Sequence, residues 1–328
     1  MLNPDLKLNQ KMFDETAELK ATRDGFGSAL VYLGETNPAV VVLTADLNES
    51  TRTEEFSKKF PERFFECGVA EQNMAAIAAG LGVSRKIPFI SSYAVFSPGK
   101  NWETIRTTIV YNHSNVKIAG HHSGVMTGAD GATHQATEDI AITRCWPDIE
   151  IIVPCDSHES RKATIMSADI DGPVYLRFSR DKSVMMTTEE TPFDKKIQTY
   201  WVTENPQCTI FGTGHLLYQA MLAGKELESE GINVLVANTA YIKPLDTEGV
   251  LNLVEKTGCA VSVEDHQVTG GLGGALAELL AAKKPAPMEF IGLQNTFAES
   301  GSSKELIEKY GMGKNAIKEA VKRAIARK

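Results

Sequence analysis

Apolar and polar positions along most of the chain alternate between short β-branched runs and longer stretches of helical spacing. Val40–Thr44 (VVVLT) is a continuous run of the kind that forms a strand buried on both faces. Just before it, Phe26, Ala29, Leu30 and Leu33 recur at helical intervals across 24–36. The same reading predicts strands at Arg63–Glu66, Pro88–Ser92, Val116–Gly120, Ile149–Val153 and Val174–Phe178, with helices near 71–81, 101–112, 137–145 and 157–168 between them. Residues 181–206 are polar, contain Pro192 and Pro206, and read as a linker. The alternation then resumes: strand Thr209–Gly212, helix 215–229, strand Asn233–Asn238, helix 246–256, strand Ala260–Glu264, helix 272–282, strand Met288–Ile291. Strands alternating with helices predict the α/β class, here two parallel-type α/β domains over 1–190 and 191–328. In the last residues, KNAIKEAVKRAIARK, Ile317, Ala320, Val321, Ala324 and Ile325 share one helical face. That pattern predicts a terminal helix docked on its own domain, in preference to a membrane-surface or partner helix.

A length of 328 residues agrees with two domains at roughly 150 residues each. The net charge of −8 argues against a general nucleic-acid binder, which needs a basic footprint, but a few local Arg and His residues can still hold small anions. No apolar run has the roughly 18 residues of a membrane span. The opening MLNPDLKLNQKMFDE lacks the features of a signal or transit peptide. Five cysteines without a CxxC read as free thiols in a reducing compartment, so the expected location is cytoplasmic.

Chemistry concentrates between Glu66 and His134. In ECGVAEQNMAAIAAGLGV (66–83) a glycine turn precedes Glu71, which opens a helix of small residues; by position alone Glu71 need only complement the helix dipole. Tyr93 and Phe96 follow a strand and could be core, or form a wall for a flat heterocycle. VKIAGHHSGVMTGADGATHQATED (116–139) delivers His121 and His122 at a strand end, followed by Asp130 and His134. In open α/β sheets ligands bind beyond strand C-termini. A zinc site there is disfavoured, because no HExxH and no cysteine stands at ligand spacing. GTGH (212–215) and GGLGG (270–274) fail to complete GxGxxG and read as tight turns.

KATRDGFGSAL, LTADLNES, FFECGVAEQNMAAIAAG, PFISSYAVF, GADGATHQATEDIA and VPCDSHE stand in the order and spacing of transketolases, and YIKPLD, VEDHQVTGGLGGALAE and FAESGSSKELIEKYGM extend the match. From about residue 20 to its end the chain resembles the C-terminal half of that enzyme in its split, two-chain form. The resemblance implies a thiamine diphosphate-binding pyrimidine (Pyr) domain followed by a transketolase C-terminal domain, and transfer of a two-carbon ketol unit between sugar phosphates. The diphosphate-binding domain of the family carries GDG, which this chain lacks. The resemblance therefore implies an N-terminal partner subunit that supplies that domain and most of the Mg2+ (or Ca2+) binding. It implies no metal site in this chain, and self-association into a heterotetramer with two copies of each subunit.

The resemblance also assigns roles. Glu71 and His134 are the catalytic residues, Glu71 through the aminopyrimidine ring of the cofactor. Tyr93, Phe96, Asp46 and Leu47 are cofactor-binding. Arg23, Ser50, His122, Asp130, His134 and Arg180 bind substrate, with the arginines at its phosphate. Ala129, Gln72 and the segment SPGKNW depart from the usual pattern and bear on which sugar is bound. Other readings fit less well. A 1-deoxyxylulose-5-phosphate synthase-like chain carries a TFLQR-like segment where SYAVF stands here. A 2-oxo acid dehydrogenase beta chain lacks the THQ loop. A non-catalytic homologue has no reason to keep Glu71, Asp130, His134 and Arg180 together.

Overall fold

VVVLT is buried at all five positions, and it lies one strand in from an edge of the larger of two main sheets. The computed structural model describes residues 1–328. In chain order its strands are β1 (Leu19–Ala21), β2 (Val40–Thr44), β3 (Phe64–Glu66), β4 (Ile87–Tyr93), β5 (Lys117–His121), β6 (Glu150–Ile152), β7 (Val174–Arg177), β8 (Lys182–Val184), β9 (Gln198–Trp201), β10 (Cys208–Gly212), β11 (Val234–Asn238), β12 (Tyr241–Lys243), β13 (Ala260–Gln267) and β14 (Met288–Leu293). The first sheet has the order β12-β6-β7-β5-β4-β2-β3 and is parallel except for β12 against β6. The second has the order β14-β13-β10-β11-β9 and is parallel except for β9 against β11. Helices pack against both sheets, as continuous apolar strands require.

Four features differ from the sequence reading. The expected linker 181–206 carries β8, which pairs with β1, and β9, which completes the edge of the second sheet. Both strands are short and their neighbours polar, so only the buried pair Tyr200 and Trp201 signals the second. YIKPLD contributes β12, which leaves the second unit to join the first sheet beside β6. The first residues of the chain pack on the second unit: Asn3 donates to the Tyr200 carbonyl at 2.9 Å, and Phe13 stands edge-on to Trp201 with ring centres 5.8 Å apart. The expected helix over 101–112 is α-helical at Trp102–Thr104 and widens to a π-type turn over Ile105–Val110.

The terminal helix Lys314–Ala326 docks as expected. Ile317, Ala320, Val321 and Ala324 join the core beneath the second sheet, while Lys318 pairs with Glu226 and Glu230 on the neighbouring helix. No helix is long and apolar enough to cross a membrane.

Buried polar groups join the two units. The Glu159 carboxylate accepts from the Cys155 amide at 2.6 Å and from Asn238 Nδ2 at 2.6 Å, with the Tyr200 hydroxyl at 3.4 Å. Burial, followed by the negative charge of Asp156, pushes the Glu159 carboxyl up to about 7. A carboxyl raised in the folded state holds a proton that the unfolded chain has released. Its contribution is complete below the unfolded value near 4.3 and is lost as pH rises through 7. Relative to Glu159→Gln, the native protein should lose on the order of 2 kcal/mol between pH 5 and pH 8. Urea midpoints of both proteins across that range measure the difference, and parallel pH profiles would refute it.

Candidate active site

The predicted site residues emerge just beyond the C-terminal ends of neighbouring parallel strands, where the register aligns Glu66 with Thr44, Thr44 with Ser91, Tyr93 with His121 and Gly120 with Arg177. Asp46 and Leu47 follow β2, Glu71 follows β3, Tyr93 and Phe96 end and follow β4, His122 follows β5, and Arg180 follows β7. Arg23 enters from the first turn of helix Thr22–Thr36, which succeeds β1. Six segments therefore present these residues at the C-terminal end of the sheet, where open α/β sheets form their binding crevice.

Its floor is aromatic. Tyr93 and Phe96 are stacked with centres 5.9 Å apart and planes 17° apart, and Tyr93 stacks on His122 at 3.9 Å. His134 stands edge-on to Phe96 at 5.6 Å and to Tyr93 at 6.1 Å. Both aromatic rings are half-buried, so an outer surface remains for a flat ligand.

Glu71 is the first residue of helix Glu71–Val83 and is 2 % exposed. Its Oε2 accepts from Lys100 Nζ at 2.7 Å, its carbonyl accepts from Asn101 Nδ2 at 3.0 Å, and Oε1 has no hydrogen-bond partner in the chain. One oxygen is thus fixed while the other is available. Lys100 was not legible as a site residue, because it belongs to an irregular segment 29 positions away. The preceding turn is held by Glu66, whose Oε1 accepts the amides of Asp46 at 2.8 Å and Gly68 at 2.9 Å. Asp46 has φ +60° and an exposed side chain; Leu47 is half-buried beside it.

The opposite wall is cationic. Arg23 Nη1 lies 2.8 Å from the Ser50 carbonyl and 3.1 Å from His122 Nε2, and Arg23 Nε is buried without a partner. Ser50 thus meets Arg23 through its backbone. Arg180 Nη1 donates to the Thr127 carbonyl at 2.7 Å and lies 3.5 Å from Asp130. Burial holds the Arg23 guanidinium below its ordinary range, and the neighbouring charges of Arg52 and Arg180 add to the effect. Burial, then Arg23, then Arg180 push His122 down to about 3, so its ring is neutral and its Nε2 accepts from Arg23. A site with two guanidiniums, an unsatisfied buried N–H and a single ion pair, Arg180 with Asp130, suits a phosphate.

No three His, Cys, Asp or Glu side chains gather as a metal site requires. The two glycine clusters are turns, as the sequence predicts. At GGLGG the start of helix Leu272–Lys283 is already filled by the Glu264 carboxylate, which accepts the Leu272 and Gly273 amides at 2.7 and 2.8 Å. At GTGH, Gly214 takes φ +61°.

The neutrality of His122 is directly measurable. Its imidazole NMR signals should show no protonation midpoint between pH 5 and pH 8, and a midpoint above 6 would contradict its placement between the two arginines.

The chain matches the transketolase pyrimidine-binding domain family over residues 18–184 and the transketolase C-terminal domain family over 198–317. It is 40% identical to a putative transketolase C-terminal section from Methanocaldococcus jannaschii, across 91% of this chain and 94% of that one. It is 34% identical to one of the subunits of the apulose-4-phosphate transketolase of Phocaeicola vulgatus, across 90% of this chain and 95% of that one. Human transketolase is 32% identical across 94% of this chain, which spans 49% of the human protein. Among solved structures, a split-gene transketolase, an inactive beta4 tetramer, superposes with a TM-score of 0.87 at 41% identity, covering 93% of this chain and 98% of that one. By these matches the chain belongs to the transketolase family, as a C-terminal section composed of the pyrimidine-binding and C-terminal domains.

Proposed function

We propose that this chain is the C-terminal subunit of a two-chain transketolase in the cytoplasm, its pyrimidine domain over 1–190 and its C-terminal domain over 191–328. The observation that carries the reading is the crevice itself: a buried carboxylate with one free oxygen, a half-exposed aromatic stack and an arginine pair, on a chain without a GDG segment. These groups fit the aminopyrimidine half of thiamine diphosphate and a sugar phosphate. They leave the diphosphate and its Mg2+ to an N-terminal partner subunit, in an assembly of two copies of each chain.

When bound, thiamine diphosphate supplies the carbanion chemistry of ketol transfer; the protein orients it and tunes it. Glu71 holds a proton at the aminopyrimidine ring nitrogen through Oε1, while Lys100 secures Oε2. Phe96, backed by Tyr93, stacks on the ring. Leu47 packs beside the cofactor, and Asp46 sets the turn that brings Leu47 there. His134 and Asp130 bind the hydroxyls of the ketose, with His134 placed to exchange a proton at the reacting oxygen. Arg23 and Arg180 take the phosphate, and neutral His122 and the Ser50 carbonyl fix the orientation of Arg23.

Turnover of xylulose 5-phosphate with ribose 5-phosphate should be absent for the chain alone and appear when the partner is added. Equal activity with and without partner would sink the two-chain reading. In the reconstituted complex, Glu71→Gln keeps the size of the side chain but supplies no carboxylate to the ring nitrogen. Cofactor affinity should fall only moderately, while deuterium exchange at the thiazolium carbon should slow by about 10²–10⁴-fold, the scale of general acid–base contributions. Exchange at the native rate with cofactor bound would reduce Glu71 to a helix-start residue.

A further inference from the structure

The loop carrying Asp130 and His134 belongs to the first domain, but a side chain of the second domain holds its entry. Asp265, on β13, is 2 % exposed. Its Oδ1 accepts the Val125 amide at 2.9 Å, and its Oδ2 lies 3.4 Å from the Met126 amide. These are the first two amides of the turn Val125–Asp130. Gly124, immediately before them, has φ +72°, and a Cβ there would lie 2.0 Å from Asp265 Oδ2. Only glycine accepts both the backbone conformation and the carboxylate pressed against it. His215 also lies close to this carboxylate, with Nε2 3.3 Å from Oδ2; burial lowers its proton affinity, against the opposing charge of Asp265. Behind Asp265, its carbonyl accepts from Arg177 Nη2 at 2.9 Å, so the residue is fixed from both sides.

The same turn delivers the groups that meet Arg180. The Thr127 carbonyl accepts from Arg180 Nη1, and Asp130 ends the turn 3.5 Å from the guanidinium. Movement at 124–126 would carry both with it. A second strap, Gln135 Nε2, reaches the Gly128 and Glu299 carbonyls at 3.2 Å each, so the far side of the turn is also tied to the second domain.

We propose that Asp265 is a positioning residue for the substrate-phosphate site: acting from the C-terminal domain, it fixes the turn Val125–Asp130 and thereby aims Arg180. The proposal rests on the reading of Arg180 as a phosphate ligand. It gives the C-terminal domain, which contributes no direct ligand to the crevice, a part in donor binding.

Asp265→Asn is close to isosteric but sets an amide N–H against one of the two loop amides or His215. In the chain by itself, hydrogen exchange should accelerate at residues 124–131 and remain unchanged across β2 and β4; native protection at Val125 and Met126 would overturn the proposal. In the reconstituted enzyme, the KM for a phosphorylated ketose should rise about 10-fold, the loss of one charge-assisted hydrogen bond, with kcat nearly retained. The KM for hydroxypyruvate, which has no phosphate, should change less than about twofold. Gly124→Ala probes the same contact from the loop and should give the same split if Asp265→Asn folds poorly. Arg180→Ala is measured alongside. If Asp265 acts through Arg180, adding Asp265→Asn to Arg180→Ala should raise KM little further, whereas a merely structural role gives additive losses on both donors. Additive or donor-independent losses would overturn the proposal. If Arg180→Ala itself shows no phosphate selectivity, the reading of the site falls, and this proposal falls with it.

Discussion

A buried guanidinium at the junction of the two halves ties the first domain's strand end and loop to the second sheet. Arg177, at the end of β7, donates to both oxygens of Asp139 at 2.7 and 3.0 Å, to the Ala136 carbonyl at 3.2 Å and to the Asp265 carbonyl at 2.9 Å. The Tyr175 hydroxyl completes the shell of Asp139 at 2.5 Å. Burial opposes the charge on both partners, yet the Arg177 charge keeps Asp139 below its ordinary range and Asp139 raises Arg177. Such a pair adds little net stability over an apolar substitute, but losing one member strands the other at a cost of about 3–5 kcal/mol. Its value is geometric. It fixes the strand end, the helix Asp139–Arg144, the loop before that helix and the second sheet relative to one another.

From that constraint the crevice follows. The loop 121–138 has the first sheet beneath it and β13 behind it, so its conformation is set by both. Several positions adopt backbone that side chains rarely accept, including His122 at φ +53° and Gly124, Gly128 and Gly131 near +70°. Strain of this kind persists only where surrounding contacts over-determine it. Here the contacts are the Asp265 carboxylate, the Gln135 strap and Ser300, whose Oγ would lie 2.5 Å from a Cβ at Gly131. The result sets an aromatic floor against a cationic wall, with a neutral histidine between them.

Much of this was legible in the sequence because it is local. VVVLT, the helix at Glu71 and the spacing of Tyr93 and Phe96 report their own neighbourhoods, and a motif-dense loop after a strand marks a crevice. What stayed hidden arises from long-range pairing. The Lys100–Glu71 contact and the Asp265–Val125 contact span 29 and 140 positions. Ser50 acts through a carbonyl, which no residue type announces. β9 and β12 are edge strands of four and three residues, with too few alternating positions to show a period. Their placement depends on which edge of which sheet stands open, and that is a property of the assembled fold.

The two-chain reading also accounts for a surface that the chain's own packing leaves unexplained. Phe65, Val69, Ile77, Val83 and Tyr111 are exposed; Ile77 and Val83 lie on the helix that Glu71 opens, Val69 just before it, and Phe65 on β3. A Cβ at Gly80 on that helix would meet nothing within 4 Å, so glycine at that position is not required by contacts inside the chain. Small residues on an exposed helix face permit close approach of another backbone, and apolar ones favour it. A catalytic carboxylate works best where water is excluded, and in this chain the wall on the Glu71 side ends in open, apolar helix. In the proposed assembly, closing that face and drying the site are the same event, so the geometry around Glu71 would depend on association as well as on folding.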